Sequence, residues 1–356
     1  MASDSANGRR ETTVSDVAAA AKVSKATAAR ALGDYGAVSD AVRDRVLAAA
    51  EQLGYRPNAL AKTMSTGKSH TIGIVVGDIE NPFFAQATRG VSDVAKAAGF
   101  DLLLSNSDEE VDAEDSAIAV LLAKRVDGLI VAPASSVDTQ SLQSAIATGR
   151  PLVLFDRAAE GVDVDTVVAD NRAGASRLAE LLLAAGHRRI AFVSTIGHPA
   201  EYRAGDRLAS SSVGDRVAGF VASLQEAGVP EPERFVRLNA RRDGVDTIVR
   251  ELLGDGATAI VASDSLVAQA AFRTIRDLGL VIPHDVSLVA FDDADWTSLS
   301  APAITVMSQP IHEIGAEAAR LLVRRMAGHG GPAETTVLPQ RLIERESIAP
   351  PRPPVR

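Results

Sequence analysis

Residues 14–32 read VSDVAAAAKVSKATAARAL, and this stretch decides the organisation of the chain. Val17, Ala18, Ala21 and Val23 recur at helical spacing behind Ser15 and Asp16, both good N-cap types, and the helix stops at Lys22-Val23. A second helix starts at once. Ser24 caps it, Ala28, Ala31 and Leu32 form its inner face, Lys25, Ala26, Thr27 and Arg30 fall outside, and Gly33 and Gly36 end it. Two short helices around a tight turn make a helix-turn-helix. Ser39 caps a third helix, Asp40 to Leu53, whose Val42, Val46, Ala49 and Leu53 stripe covers the other two before Gly54 stops it.

Charge agrees with this division. The whole chain of 356 residues carries a net −9, which argues against nucleic acid, yet residues 1–70 hold 10 Lys/Arg against 7 Asp/Glu while the remainder is strongly acidic. A small basic head therefore precedes a large acidic body. Between them, Arg56 to Lys68 holds Pro57 at a helix N1 position, Ala59 to Met64 as one and a half helical turns, and a Ser-Thr-Gly breaker. So short a helix is marginal in isolation.

From Thr71 apolar runs alternate with alanine-rich helical segments. Strands are expected at 72–77, 101–105, 127–132, 152–155, 190–194, 258–262 and 287–291, and helices at 85–98, 112–125, 171–186, 215–227, 243–253 and 265–278. Continuous apolar strands separated by helices imply parallel sheets covered on both faces, here two doubly wound lobes with a ligand crevice at the carboxyl ends of the strands. The tail from 349 to 356, rich in proline, is expected to be disordered.

The residues after the strand ends are polar and specific: Asp78-Ile79-Glu80-Asn81-Pro82-Phe83-Phe84, Asp156-Arg157, Ser263-Asp264 and Asp292-Asp293. Carboxylates and guanidinium groups hydrogen-bond hydroxyls while an aromatic face covers C–H groups, which is the chemistry of a sugar pocket. The plainer alternatives are helix N-caps for Asp264 and Asp293 and ordinary core for Phe83 and Phe84. Six histidines form no HExxH or close pair, Ser263 lacks a GxSxG context, no phosphate-binding glycine loop occurs, and cysteine is absent, so no metal, cofactor, nucleophilic site or disulfide is expected. There is no apolar run of about 18 residues, and the first ten residues are polar, so a membrane span and a secretory signal are not expected and a cytoplasmic location is.

VSDVAAAAKVSKATAARALGD (14–34) followed by VSDAVRDRVLAAAEQLGYRPNALAKTM (38–64) resembles the headpiece and hinge of the LacI/GalR family of bacterial transcription regulators. The resemblance continues through NPFFA, KRVDGLIVAP, VLFDR, VVADNRAGA, GHRRIAFVS, DRVAGF, IPHDVSLVAFDD and PQRLIERES, from about Thr12 to Ile348. It implies a homodimer on a pseudo-palindromic DNA operator, with Lys25, Ala26 and Arg30 at base-reading positions and Ser24 and Thr27 at phosphate or turn positions. Thr27-Ala28-Ala29 stands where the family usually has Thr-Val-Ser, removing one hydroxyl. In the hinge, Asn58, Ala61 and Lys62 are implied DNA contacts, and Met64 takes the place of the leucine that wedges into the minor groove.

For the body, the nearest pattern is that of the periplasmic ribose-binding proteins. It implies sugar contacts from Asn81, Phe83, Phe84, Asp156, Arg157, Arg216, Asp292 and Gln309, with Ser263 replacing an asparagine before Asp264. The stretch from Gly197 to Val213 is longer than usual, and GDRLA (205–209) partly imitates GDRVA (215–219), so Arg207 competes with Arg216 for the arginine role. The implied domains are an arm (1–10), headpiece (11–56), hinge (57–69) and body (70–348), the latter with lobes at 70–170 plus 309–335 and 171–308 plus 336–348. The implied function is a sugar-controlled repressor. A transport solute-binding protein, and a sugar enzyme using Asp156 or Asp292 as base, are the rival readings.

Overall fold

The computed structural model describes residues 12–33, 36–55, 67–195, 202–203, 205–238 and 244–352. The chain divides into two units, Met1–Ser69 and His70–Arg356. The hinge expectations at Asn58, Ala61, Lys62 and Met64 lie outside the described residues, as does the expected arm at 1–10.

The first unit holds α1 (Val14–Ala20), α2 (Lys25–Gly33) and α3 (Asp40–Gln52). Thr13, rather than Ser15 or Asp16, is the N-cap of α1: its side chain and that of Asp16 cap each other's backbone N–H in a capping box. Lys22 turns the chain at φ +55, and the Thr27 N–H donates to Ser24 Oγ at 3.1 Å, which starts α2 as expected. Small residues let the three helices approach closely: Val17, Ala18, Ala21, Ala28, Ala31, Val46, Ala49 and Ala50 are buried together. Two expectations for α3 need correction. Ser39 makes no side-chain cap hydrogen bond, and Leu53 lies beyond the helix end, 40% exposed, because α3 stops at Gln52 before the stripe completes another turn.

Among the described residues, the second unit contains two six-stranded sheets. The first comprises β1 (Thr71–Val76), β2 (Asp101–Asn106), β3 (Gly128–Val131), β4 (Leu152–Phe155), β5 (Asp165–Ala169) and β11 (Thr335–Leu338), ordered β11-β5-β4-β3-β1-β2. The second comprises β6 (Ile190–Val193), β7 (Val236–Arg237), β8 (Ala259–Ala262), β9 (Ser287–Phe291), β10 (Thr305–Ser308) and β12 (Arg341–Ile343), ordered β12-β10-β9-β8-β6-β7. Every pairing is parallel except β10 with β12. The central strands are buried from end to end, as a sheet covered on both faces requires. Both sheets reverse strand order beside their first strand, β1 or β6, which opens a crevice at the carboxyl ends.

Covering helices are α4 (Pro82–Ala97), α5 (Val111–Ala123), α6 (Gln140–Ala147), α7 (Asn171–Ala184), α8 (Ser211–Glu226), α9 (Val245–Gly254), α10 (Ser265–Asp277), α11 (Asp295–Leu299) and α12 (Ile311–Met326). The chain crosses between lobes three times, after β5, β10 and β11. Consequently α12 packs on α4 of the first lobe so closely that a Cβ on Gly315 would stand 1.9 Å from the Ala87 carbonyl oxygen. Of the expected lobe limits, the one at 335/336 shifts, because all of β11 pairs with β5 in the first sheet.

The expected disordered tail is corrected over residues 349–352, while 353–356 lie outside the described residues. His187, 1% exposed, hydrogen-bonds the Ala349 carbonyl at 2.9 Å, the Ala349 N–H donates to Ser287 Oγ at 3.1 Å, and Arg352 pairs with Asp285. Residues 349–352 are therefore pinned to the second lobe. Burial lowers the pKa of His187, favouring its neutral form.

Candidate effector pocket and nucleic-acid interface

On the head, Ser24, Lys25, Ala26 and Arg30 are exposed on one side of α2, and Thr27 is half-buried. The face is open for contact over its N-terminal turn, the part of a second helix that meets base edges. Arg30 folds back along its own helix, donating from Nε to the Ala26 carbonyl at 3.3 Å. Ser24 Oγ and Thr27 Oγ1 lie 2.8 Å apart, so both hydroxyls help build the turn.

In the body, a cavity of about 570 Å³ opens between the carboxyl ends of the two sheets. Asn81, Phe83, Phe84, Asp156, Arg157, Arg216, Ser263, Asp264, Asp292 and Gln309 all line it, although they come from six separate segments. Arg207 does not: its side chain is 64% exposed and pairs with Glu160. The resolution between the two arginines is positional, since Arg207 precedes α8 and Arg216 sits inside it on the buried face.

Several expected contacts have structural duties as well. Asn81 caps α4 by accepting the Phe83 N–H at 3.0 Å. Asp264 caps α10, its Oδ1 accepting from Leu266 and Val267 while Ser263 Oγ donates to its Oδ2 at 2.9 Å. Asp293 is structural, bound to Arg345 and Thr297. Phe83 and Phe84 meet edge to face at 5.2 Å within the first core while forming one wall of the cavity.

The charged centre is buried. Arg216 donates from Nε to Asn171 Oδ1 at 2.8 Å and from Nη1 to the Ser263 carbonyl at 2.6 Å, with its guanidinium 4.2 Å above the Phe291 ring. Asp156 and Asp292 occupy equivalent places, one residue past β4 and β9, each in the left-handed region at φ +65 and +71. Such strain at non-glycine residues needs a surrounding that holds it. Here the Asp156 N–H bonds the Val167 carbonyl and the Asp292 N–H the Met307 carbonyl, each on the adjacent strand. Burial pushes both carboxyls above their usual range, that of Asp292 to about 6. Gln309 Nε2 donates to Asp292 Oδ1 at 2.7 Å, while Gln309 Oε1 is buried with no hydrogen-bond partner.

Asp78, in the polar stretch singled out after the first body strand, lines the cavity as well; sequence reasoning missed Glu109, whose carboxylate grips Arg157, and the cavity-lining Asp108, Glu110, Ser194, Ser210 and Ser212. Position relative to strands β1, β2 and β6 is the signal that could have found them. The first residue of α8 joins the two lobes: the Ala158 N–H donates to Ser211 Oγ at 2.8 Å and the Ser211 N–H to Ser136 Oγ at 2.9 Å, beside the cavity.

Comparison with known proteins gives these sites their context. Residues 13–58 match the family model described as bacterial regulatory proteins, lacI family, and residues 179–348 match a periplasmic binding protein-like domain. The regulator DegA of Bacillus subtilis strain 168 is 31% identical over 345 residues, covering 96% of this chain and 99% of its own. Among solved structures, a transcriptional regulator CelR–cellobiose complex aligns with a TM-score of 0.69 at 29% identity, over 95% of this chain and 100% of its own. A Lac repressor dimer bound to operator and the anti-inducer ONPF aligns with a TM-score of 0.80 at 25% identity, over 96% and 100%. The basic helix-turn-helix head and the two-lobed α/β body are thus the two halves of one known architecture, and the chain belongs to the LacI/GalR family of DNA-binding transcriptional regulators.

Proposed function

We propose that this regulator represses genes of sugar uptake or catabolism, working as a cytoplasmic homodimer on a pseudo-palindromic operator whose affinity is set by a small sugar-like effector between the lobes. The observation that carries the reading is the cavity itself. Its size falls in the range of small-ligand sites, and buried acids, an arginine and an aromatic wall converge there around one unpartnered buried acceptor, Gln309 Oε1. The cellobiose held by the CelR relative supports a carbohydrate as the ligand class.

In this reading Lys25, Ala26 and Arg30 read bases, Ser24 and Thr27 approach phosphate, and Asn58, Ala61, Lys62 and Met64 act in a hinge at 57–69. The effector touches residues from both sheets, so it binds best when the lobes hold one particular closure. Differential binding of this kind is what links the cavity to the operator, with a typical coupling of about 1–3 kcal/mol that acts equally in both directions.

A thermal-shift panel of pentoses, hexoses, polyols and their phosphates tests this, followed by operator binding with the ligand found. A sugar at 100 times its Kd adds about 2.7 kcal/mol to stability. No shift across the panel, or a shift with no change in operator affinity, rejects the reading.

A further inference from the structure

Arg157 matches a sugar-contacting position, yet in this chain four of its five N–H donors are already taken. Nη1 and Nη2 donate to Oε2 and Oε1 of Glu109, the second at 2.8 Å, Nη1 also donates to the Pro133 carbonyl at 3.0 Å, and Nε reaches Asp156 Oδ2 at 3.2 Å. This is the bidentate fork that arginine otherwise offers to a phosphate or carboxylate. Glu109 fills it with a carboxylate of the protein's own.

The fork is built into the fold. Asp108 and Glu109 both adopt left-handed backbone, at φ +52 and +61, and the Glu109 N–H donates to the Gly77 carbonyl at 3.0 Å. A Cβ on residue 77 would lie 2.3 Å from Glu109 Oε1, so glycine at the end of β1 makes the room that the carboxylate occupies. Two further observations point the same way. Among the described residues, seven carboxylate side chains line the cavity against two guanidinium groups. Among the described residues that line the cavity, the unpartnered buried side-chain atom is Gln309 Oε1, an acceptor on a residue 7% exposed, so its missing partner is a donor on the ligand. A hydroxyl supplies that donor and a phosphate or carboxylate oxygen does not, so the group that meets Gln309 is a hydroxyl and not an anionic oxygen.

We propose that Glu109 is a specificity-determining residue that closes the Arg157 fork to anionic groups, so that the effector is an uncharged polyhydroxylated ligand and phosphorylated or acid sugars are refused. This rests on the reading of the cavity as a sugar-effector pocket and narrows its ligand class.

The test titrates the full-length protein with ribose, glucose and cellobiose beside ribose 5-phosphate, glucose 6-phosphate and gluconate, by calorimetry and thermal shift. Wild type, Glu109→Gln and Glu109→Ala are compared. Wild type is expected to bind a neutral sugar and to reject its anionic counterparts at tenfold higher concentration. Both variants are expected to gain roughly tenfold or more in affinity for an anionic sugar relative to its neutral parent, because one negative charge beside the ligand is gone. An anionic sugar that binds wild type as tightly as its neutral parent overturns the proposal, and does so whether or not the variants fold. Unchanged discrimination in both variants overturns the role of Glu109. Failure of every sugar, neutral or charged, to bind wild type defeats the pocket reading and this inference together, a result distinct from binding of the wrong charge.

Discussion

Replacing Asp292 with Asn exposes how the pocket trades stability for binding. Asp292 is 5% exposed, and burial raises its pKa from the ordinary 3.8 to about 6 even with Arg216 and Gln309 favouring the charged form. At pH 8 it is ionised in both the folded and unfolded states, and the shift of roughly two units means that keeping the charge inside costs about 3 kcal/mol. Asn has a similar shape and keeps an acceptor for Gln309 Nε2, but carries no charge. Asp292→Asn is therefore expected to be more stable than wild type by up to about 3 kcal/mol at pH 8.

The folded carboxyl binds its proton more tightly than the unfolded one, so this group's stabilisation of wild type is full below about pH 4 and is lost as pH rises through about 6. The advantage of the variant accordingly shrinks by about half between pH 8 and pH 5. Urea unfolding at the two pH values measures it, followed by the fluorescence of Trp296, the sole tryptophan, which packs 5.9 Å from Phe272 in the same lobe. An advantage independent of pH, or a variant less stable at both values, would refute the argument, since Arg216 would then compensate the charge completely. Under the proposed function the same variant loses sugar affinity, because the charge retained at this cost is the acceptor for ligand hydroxyls.

Arg216→Ala is expected to abolish the sugar response, leave operator binding by the ligand-free protein intact, and cost roughly 2–4 kcal/mol of stability through the lost bonds to Asn171 and Ser263; a normal calorimetric sugar titration would reject this. Arg207→Ala removes only an exposed pair with Glu160 and is expected to cost less than about 1 kcal/mol in thermal unfolding. Arg30→Ala is expected to weaken operator binding by about 1–3 kcal/mol and relax base preference at one position, and an unchanged footprint with unchanged affinity would remove its reading role. Gly315→Ala drives a methyl into the Ala87 carbonyl and is expected to destabilise the first lobe by roughly 3 kcal/mol, which thermal melting reports.

The legible parts of this protein are those governed by neighbours close in sequence. The head could be read because three short helices declare themselves by apolar spacing and turn residues, and the errors there, Thr13 capping in place of Ser15 and the exposed Leu53, are shifts of a turn or less. The seven strands expected in the body are all present, because buried parallel strands are continuous apolar runs. The five that were missed, β5, β7, β10, β11 and β12, include three of the four outer strands, β7, β11 and β12, where one side lacks a partner and the sequence is shorter or more polar. Helix α12 also escaped, although its glycine at 315 becomes informative only once α4 lies against it.

The same division runs through the site. Local sequence determined that Asp156-Arg157, Ser263-Asp264 and Asp292 would stand at strand ends, since a strand followed by a helix must turn there, and the crevice of a doubly wound sheet lies at those turns. Tertiary structure alone decided that Arg216 enters the cavity while Arg207 faces outward, that Glu109 occupies the Arg157 fork beside Gly77, and that Gln309 keeps an unpartnered oxygen. Each of those depends on atoms brought together from segments tens to hundreds of residues apart, and a pairing set by such distant partners leaves no periodicity in the chain.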